Sequence, residues 1–200
     1  MADNSVGSGV GLDRREVVST LLVDRQDMLV VSGLGSPTYD LMAAGDHDAN
    51  FYLWGAMGGT AMVGLGLALA QPERRILVLT GDGEMLMGLG SLATIAAADP
   101  ANLALVVLDN GIYGETGQQA SATGMGCDFV TVARGAGWHQ AETLENLDQA
   151  AAWRGALAAG SGPWFARIAI TSDLPPRAMP ARDGVYLKNR FRAHLGLAPN

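Results

Sequence analysis

The chain has 200 residues, 48% of them hydrophobic, which is enough for one globular domain with a sizeable core. A formal net charge of −7 argues against nucleic acid as a partner, because phosphates need a basic face. The single cysteine, Cys127, cannot form an internal disulfide and reads as a buried small residue, and no signal peptide opens the sequence, so a reducing cytoplasm is expected.

Residues 1–12 are polar and glycine-rich and read as a flexible N-terminus. Asp13 then caps a helix, with Glu16 at its third position and Val17, Val18, Leu21 and Leu22 along one stripe. Met28–Val31 is the first buried strand. It runs into Ser32–Gly33–Leu34–Gly35–Ser36–Pro37, a loop of small residues at a strand's carboxyl end. Phe51–Tyr52–Leu53–Trp54 is aromatic and gives way to Gly55–Ala56–Met57–Gly58–Gly59. The helix that follows, Thr60–Ala70, is apolar on every face and is expected to be buried, with Gly64 and Gly66 permitting close packing. It is too short and too glycine-rich to span a bilayer.

Ile76–Leu79 is an unbroken apolar run between Glu73–Arg74–Arg75 and a glycine turn, the pattern of a strand buried on both faces of a parallel sheet. The turn carries one carboxylate, Asp82, between Gly81 and Gly83. A helical pattern from Met85 to Ala98 stops at Asp99–Pro100. A second apolar run, Leu103–Leu108, ends in Asp109–Asn110–Gly111–Ile112–Tyr113–Gly114. Two buried strands thus each deliver an oxygen-bearing side chain at their carboxyl ends, where ligands of open α/β sheets bind. Asp82 and Asn110 are hard donors suited to Mg²⁺ or Ca²⁺, and Gly81 and Gly83 let the backbone approach a ligand closely. A metal with a diphosphate suits such a site.

Beyond Asn110, the stretch to Ser121 has the composition of an active-site loop. A short helix, Phe129–Arg134, ends at Gly135. A longer one is expected from Leu144 to Ala159, with Thr143 as cap and Gly160 as stop. Phe165–Ile170 is the last strand, and one more lies hidden near Trp138. Residues 13–174 form the expected domain. Residues 175–200, with the basic Lys188–Asn189–Arg190–Phe191–Arg192, read as a C-terminal tail that contacts a partner. His47, His139 and His194 are scattered without metal-ligand spacing. Only His47, just upstream of Trp54–Met57, is a candidate to face a substrate. Gly33–Leu34–Gly35 lacks the third glycine of a dinucleotide fingerprint, and no phosphate-loop or nucleophile-elbow motif occurs.

Gly81–Asp82–Gly83, then residues 84–109, then Asn110, with a strand before each half and a helix between, resembles the thiamine diphosphate motif. The run Gly83–Ile95 and the phrase Leu108–Tyr113 are most similar to the beta subunit of two-subunit sulfopyruvate decarboxylases and to the carboxyl-terminal part of phosphonopyruvate decarboxylases. The resemblance implies a doubly wound α/β fold with a mostly parallel sheet and helices on both faces. It also implies Mg²⁺ held by Asp82, Asn110 and the carbonyl of Ile112. Gly35 and Ser36 become candidates for the diphosphate, and Gly81, Gly83, Glu84, Tyr113 and Gly114 join the cofactor-binding set. Met57, twenty-five residues before Asp82 (82 − 57), matches the apolar side chain that props the cofactor in its bent form, and Gly55 the carbonyl that accepts from its amino group.

The implied activity is decarboxylation of a small 2-oxoacid. The alternatives are carboligation or oxidative transfer with the same cofactor, or a non-catalytic nucleotide- or diphosphate-binding module. In the family, the glutamate that activates the pyrimidine ring belongs to a different domain. The resemblance therefore implies a pyrimidine-binding, alpha-type partner subunit in a hetero-oligomer with at least two of each chain. The interface should be large enough to cover Phe51–Trp54 and the apolar helix that follows.

Overall fold

The apolar runs become strands of one sheet in a computed structural model that describes residues 11–159 and 161–198. Strands β1 (Leu29–Ser32), β2 (Asn50–Tyr52), β3 (Ile76–Gly81), β4 (Leu103–Asp109), β5 (Gln140–Leu144) and β6 (Trp164–Ala169) are all parallel, in the order β2-β1-β3-β4-β6-β5. Alternate residues feed two cores. Val30, Leu77, Leu79 and Val106 pack under α1 (Arg14–Leu22), α2 (Ser36–Ala43) and α7 (Leu147–Ala159). Leu29, Ile76, Val78 and Leu105 meet α3 (Thr60–Ala70), α5 (Ser91–Ala98) and α6 (Phe129–Gly135). Helices on both faces are why β1, β3 and β4 are apolar without alternation.

The four expected strands are present with ends shifted by at most two residues, and the hidden strand near Trp138 is β5. β2 carries no strand signal, because it has three residues and begins with the polar Asn50. Asp13 caps α1 as expected, its Oδ1 accepting from the amides of Arg15 (2.8 Å) and Glu16 (2.9 Å).

Several expectations are corrected. The helix expected over Met85–Ala98 is two helices, α4 (Asp82–Met87) and α5, and α4 begins inside the glycine motif. The break falls at Gly88, where the chain meets the Gly58 backbone so closely that a Cβ would lie 2.1 Å from its carbonyl oxygen. Thr143 and Leu144 belong to β5 rather than to a helix start; the Asn146 side chain accepts from the Gln149 amide instead, at 2.9 Å, and Gly160 lies outside the described residues. Cys127 is half-buried. Residues 1–10 of the expected flexible N-terminus also lie outside the described residues, while Leu12 bridges to Ile170 beyond the end of β6.

Helix α3 is not wholly buried. Met62 and Leu69 are 40% and 61% exposed, and Gly66 between them faces open space, while Gly64 packs so closely that a Cβ would sit 2.2 Å from Val78. The basic stretch 188–192 is part of a helix, α8 (Gly184–His194), that packs on β2, not a detached tail. Phe191 meets Phe51 with ring centroids 5.5 Å apart, and Arg190 pairs with Asp46 at 2.7 Å.

Candidate functional site

From β1 the chain crosses to β2 on one side and later returns to β3 on the other. The loops after β1 and β3 therefore diverge and leave a crevice at the carboxyl edge. A cleft of about 150 Å³ opens there. The loop after β1 contributes Leu34, the start of α2 contributes Ser36 and Pro37, and the segment before α3 contributes Met57. The turn from β3 into α4 supplies Gly81, Asp82, Gly83 and Glu84, and the loop after β4 supplies Asn110, Ile112, Tyr113 and Gly114. Residues drawn from four separate stretches of sequence thus line one cavity. Arg14, Leu108, Glu115 and Thr116 join them and were not among the expected site residues.

Gly35 and Gly55 do not line this cleft. Gly35 has φ +78 and caps α2, and a Cβ there would press on the Glu115 side chain at 2.8 Å. Gly55 is exposed, with open space where a Cβ would be. His47 is a correction. It precedes β2 and so lies at the amino edge of a parallel sheet, whereas the cleft is at the carboxyl edge. Its Nδ1 accepts from the Ala49 amide at 3.0 Å, and its ring meets His194 at 5.7 Å.

Asp82 is 3% exposed and forms no ion pair with any described basic side chain. Its Oδ2 accepts from the Ser121 hydroxyl at 2.5 Å. The Thr123 hydroxyl lies 3.2 Å from the same oxygen, 2.7 Å from Asp109 Oδ1 and 2.8 Å from the Ser121 hydroxyl, so the two carboxylates belong to one hydrogen-bonded network. Asp109 is itself anchored by Arg167, whose Nε donates to Oδ2 at 2.8 Å. Burial pushes the Asp82 carboxyl above the usual carboxylate range; the Ser121 hydroxyl opposes this and the Asp109 charge adds to it. The sequence marked Ser121 only as the end of a polar loop. Thr123 and Arg167 carried one faint signal, a lone arginine within the apolar β6.

Asn110 closes its own turn, its Oδ1 accepting from the Ile112 amide at 3.2 Å, and Gly111 takes the positive φ of +72 that the turn needs. Gly83 lies against Tyr113, where a Cβ would sit 2.7 Å from the ring and 3.8 Å from the Met57 methyl. Only glycine lets these two side chains wall the cleft over the α4 start. The Glu84 carboxylate turns to the protein: it accepts from the Thr60 hydroxyl and, at 2.9 Å, from Thr80, directly under Gly33.

These residues fit a diphosphate carried by a divalent cation. One buried carboxylate lacks a basic partner, Asn110 lines the same cleft, and a glycine leaves room for close approach. Among the described residues no group of three or more His, Cys, Asp or Glu gathers to hold a metal. A cation here would complete its shell with phosphate oxygens and water, as Mg²⁺ characteristically does.

The family model for the C-terminal TPP-binding domain of thiamine pyrophosphate enzymes matches residues 38–168, and the chain belongs to that family. Its cofactor, thiamine pyrophosphate, is the thiamine diphosphate of the sequence motif. Among curated relatives, sulfopyruvate decarboxylase subunit beta of Methanothermobacter thermautotrophicus is 38% identical over 167 residues, covering 82% of this chain and 86% of that subunit. Phosphonopyruvate decarboxylase of Streptomyces viridochromogenes is 37% identical over 175 residues; this chain spans only 44% of its length. A solved thiamine diphosphate-dependent 4-hydroxybenzoylformate decarboxylase from Rhodococcus jostii superposes with a TM-score of 0.71 at 20% identity, over 86% of this chain and 36% of that one, which shows the shared fold.

Proposed function

We propose that the chain is the beta-type subunit of a two-subunit thiamine diphosphate-dependent decarboxylase for a 2-oxoacid bearing a second anionic group, of the sulfopyruvate or phosphonopyruvate type. The observation that carries this reading is the similarity across 86% of a sulfopyruvate decarboxylase beta subunit, together with the cleft formed by the motif residues. When bound, the cofactor supplies the electron sink that lets carbon dioxide leave. Asp82, Asn110 and the carbonyl of Ile112 hold Mg²⁺, and Ser121 and Thr123 fix the Asp82 carboxylate. Ser36, Gly81 and Gly83 receive the diphosphate, helped by the Gly35 turn. Met57, with Tyr113 beside it, supports the bent cofactor, and the Gly55 carbonyl orients its amino group.

The glutamate for the pyrimidine ring comes from an alpha-type subunit, in an assembly with at least two copies of each chain. Glu84, tied to Thr60 and Thr80, is not available for that task. The exposed Met62, Leu69 and Met87 (40%, 61% and 69%) supply apolar surface for the partner. Phe51 and Trp54 do not, since α8 and the 181–182 segment cover them, with Trp54 Nε1 donating to the Ala181 carbonyl at 2.8 Å. Among the described residues no helix is long and apolar enough to cross a membrane. A cytoplasmic location follows the single cysteine.

Calorimetric titration of the chain with its partner tests the cofactor. Thiamine diphosphate with Mg²⁺ is expected to bind far more tightly than ADP or NAD. Preference for a nucleotide would instead identify a non-catalytic regulatory module.

A further inference from the structure

The cofactor cleft does not end at Ser36 and Glu115. A second cavity of about 240 Å³ adjoins it and shares Arg14, Ser36 and Glu115 with it. Its other walls include Arg15, Tyr39, Asp40 and Arg177. Three arginines therefore face two carboxylates.

Arg14 is the unusual member. It is 3% exposed, and its Nε donates to the equally buried Asp40 at 2.7 Å. Its Nη1 is buried and finds no acceptor among the described residues. A guanidinium has five N–H donors, and a buried one left unmade is costly, so natural structures leave few without a purpose. Next door, Arg15 Nε is buried without a hydrogen-bond acceptor, 4.0 Å from Asp40 Oδ1 in a looser ion pair, and its Nη2 donates to the Pro176 carbonyl. Arg177 lies over the Tyr39 ring at 5.3 Å and donates to Glu115 at 3.1 Å. The Glu115 carboxylate, 3.5 Å from the Ser36 hydroxyl, stands where the two cavities meet and takes up cationic charge that another anion could use.

We propose that Arg14 is an anion-binding residue whose unpartnered donor receives a tetrahedral oxyanion at the junction of the two cavities. The shared chemistry is a phosphate- or sulfonate-type group. Two sources supply it: the cofactor's diphosphate reaching from the first cavity, or the distal group of the 2-oxoacid seated in the second, beside Arg15 and Arg177. The planar fork of arginine suits either, and lysine does not reproduce it. Asp40 is a positioning residue here, holding the guanidinium edge-on by its Nε. This inference rests on the proposed function for its choice of ligands but not for the anion site itself.

The test uses the complex of this chain with its partner, in wild-type, Arg14→Lys and Glu115→Gln forms, each checked for folding by its melting temperature. Calorimetry reads two probes separately: thiamine diphosphate with Mg²⁺, and the unreactive 3-sulfopropanoate. Arg14→Lys is expected to weaken one of them about ten- to hundredfold, the loss of a charge-assisted pair. Glu115→Gln, at a half-exposed residue outside the metal site, should tighten the same probe several-fold. A loss confined to thiamine diphosphate assigns the anion to the cofactor, and one confined to 3-sulfopropanoate assigns it to the substrate. Unchanged affinity for both probes in a folded Arg14→Lys protein overturns the proposal. If that variant does not fold, unchanged affinity in Glu115→Gln does the same. Failure of the functional reading looks different, because wild-type protein would then not bind thiamine diphosphate at all.

Discussion

Asp82 is held in place before any ligand arrives, by Ser121 at 2.5 Å and by Thr123 at 3.2 Å. Both hydroxyls converge on Oδ2 rather than Oδ1, which suits a carboxylate that must present its other oxygen to a cation. On the proposed reading, Asp82→Ala is expected to abolish Mg²⁺-dependent cofactor binding by calorimetry, while Asn110→Ala, losing what would be a neutral ligand and its 3.2 Å bond to the Ile112 amide, should weaken it severely but less. Wild-type affinity in both variants would mean that the metal lies elsewhere. Met57 makes a second case. At 38% exposed it contributes little to the core, so Met57→Ala should leave the melting temperature nearly unchanged. On the proposed reading, turnover should fall more than cofactor affinity, since the side chain would shape the cofactor rather than anchor it. A variant with normal turnover per folded molecule but a much lower melting temperature would make Met57 ordinary packing.

The glycine motif works as an element because β3 ends and α4 begins inside it, at Gly81 and Asp82. Next along, the end of α4 crosses the Gly58 backbone, which links the Asp82 turn to the segment bearing Met57. Gly88→Ala would place a Cβ 2.1 Å from the Gly58 carbonyl oxygen, backbone against backbone, with no flexible side chain to yield. Overpacking of this kind costs about 1–3 kcal/mol or more. At about 2–4 °C per kcal/mol for a chain of this size, thermal unfolding should show a drop of several degrees, and an unchanged melting temperature would exclude so tight a crossing.

At this scale the sequence was readable where burial on two faces left apolar runs, as in β1, β3, β4 and β6. It was silent where tertiary contacts decide. The α4–α5 break depends on a glycine backbone thirty residues away in sequence (88 − 58), and Asn50–Tyr52 becomes a strand only because β1 lies beside it. The site followed the same division. Asp82 and Asn110 stand out because each directly follows the last residue of a strand, whereas Thr123, Arg167 and Arg14 matter through contacts that no local pattern reveals. His47 misled because closeness in sequence to Met57 says nothing about which edge of the sheet a residue occupies.

For the whole molecule, the fold places the motif-lined cleft at the carboxyl edge of the sheet and, among the described residues, leaves apolar surface exposed on α3. Met62, Gly66 and Leu69 recur at i, i+4 and i+7, so they share one face of the helix, and Met87, the last residue of α4, is also exposed. On the proposed reading that face is where an alpha-type subunit brings its glutamate to the cofactor. Met62→Lys or Leu69→Lys should then weaken association with that subunit, read by sedimentation, while leaving the melting temperature of the lone chain nearly unchanged. Full association of both variants would put the interface elsewhere. The most direct test is turnover of sulfopyruvate, phosphonopyruvate and plain 2-oxoacids by this chain, with thiamine diphosphate and Mg²⁺, in the presence and absence of the product of the neighbouring open reading frame. The account predicts decarboxylation only when both polypeptides are present, with a sulfonate- or phosphonate-bearing substrate preferred. Robust decarboxylation by the chain alone would contradict it.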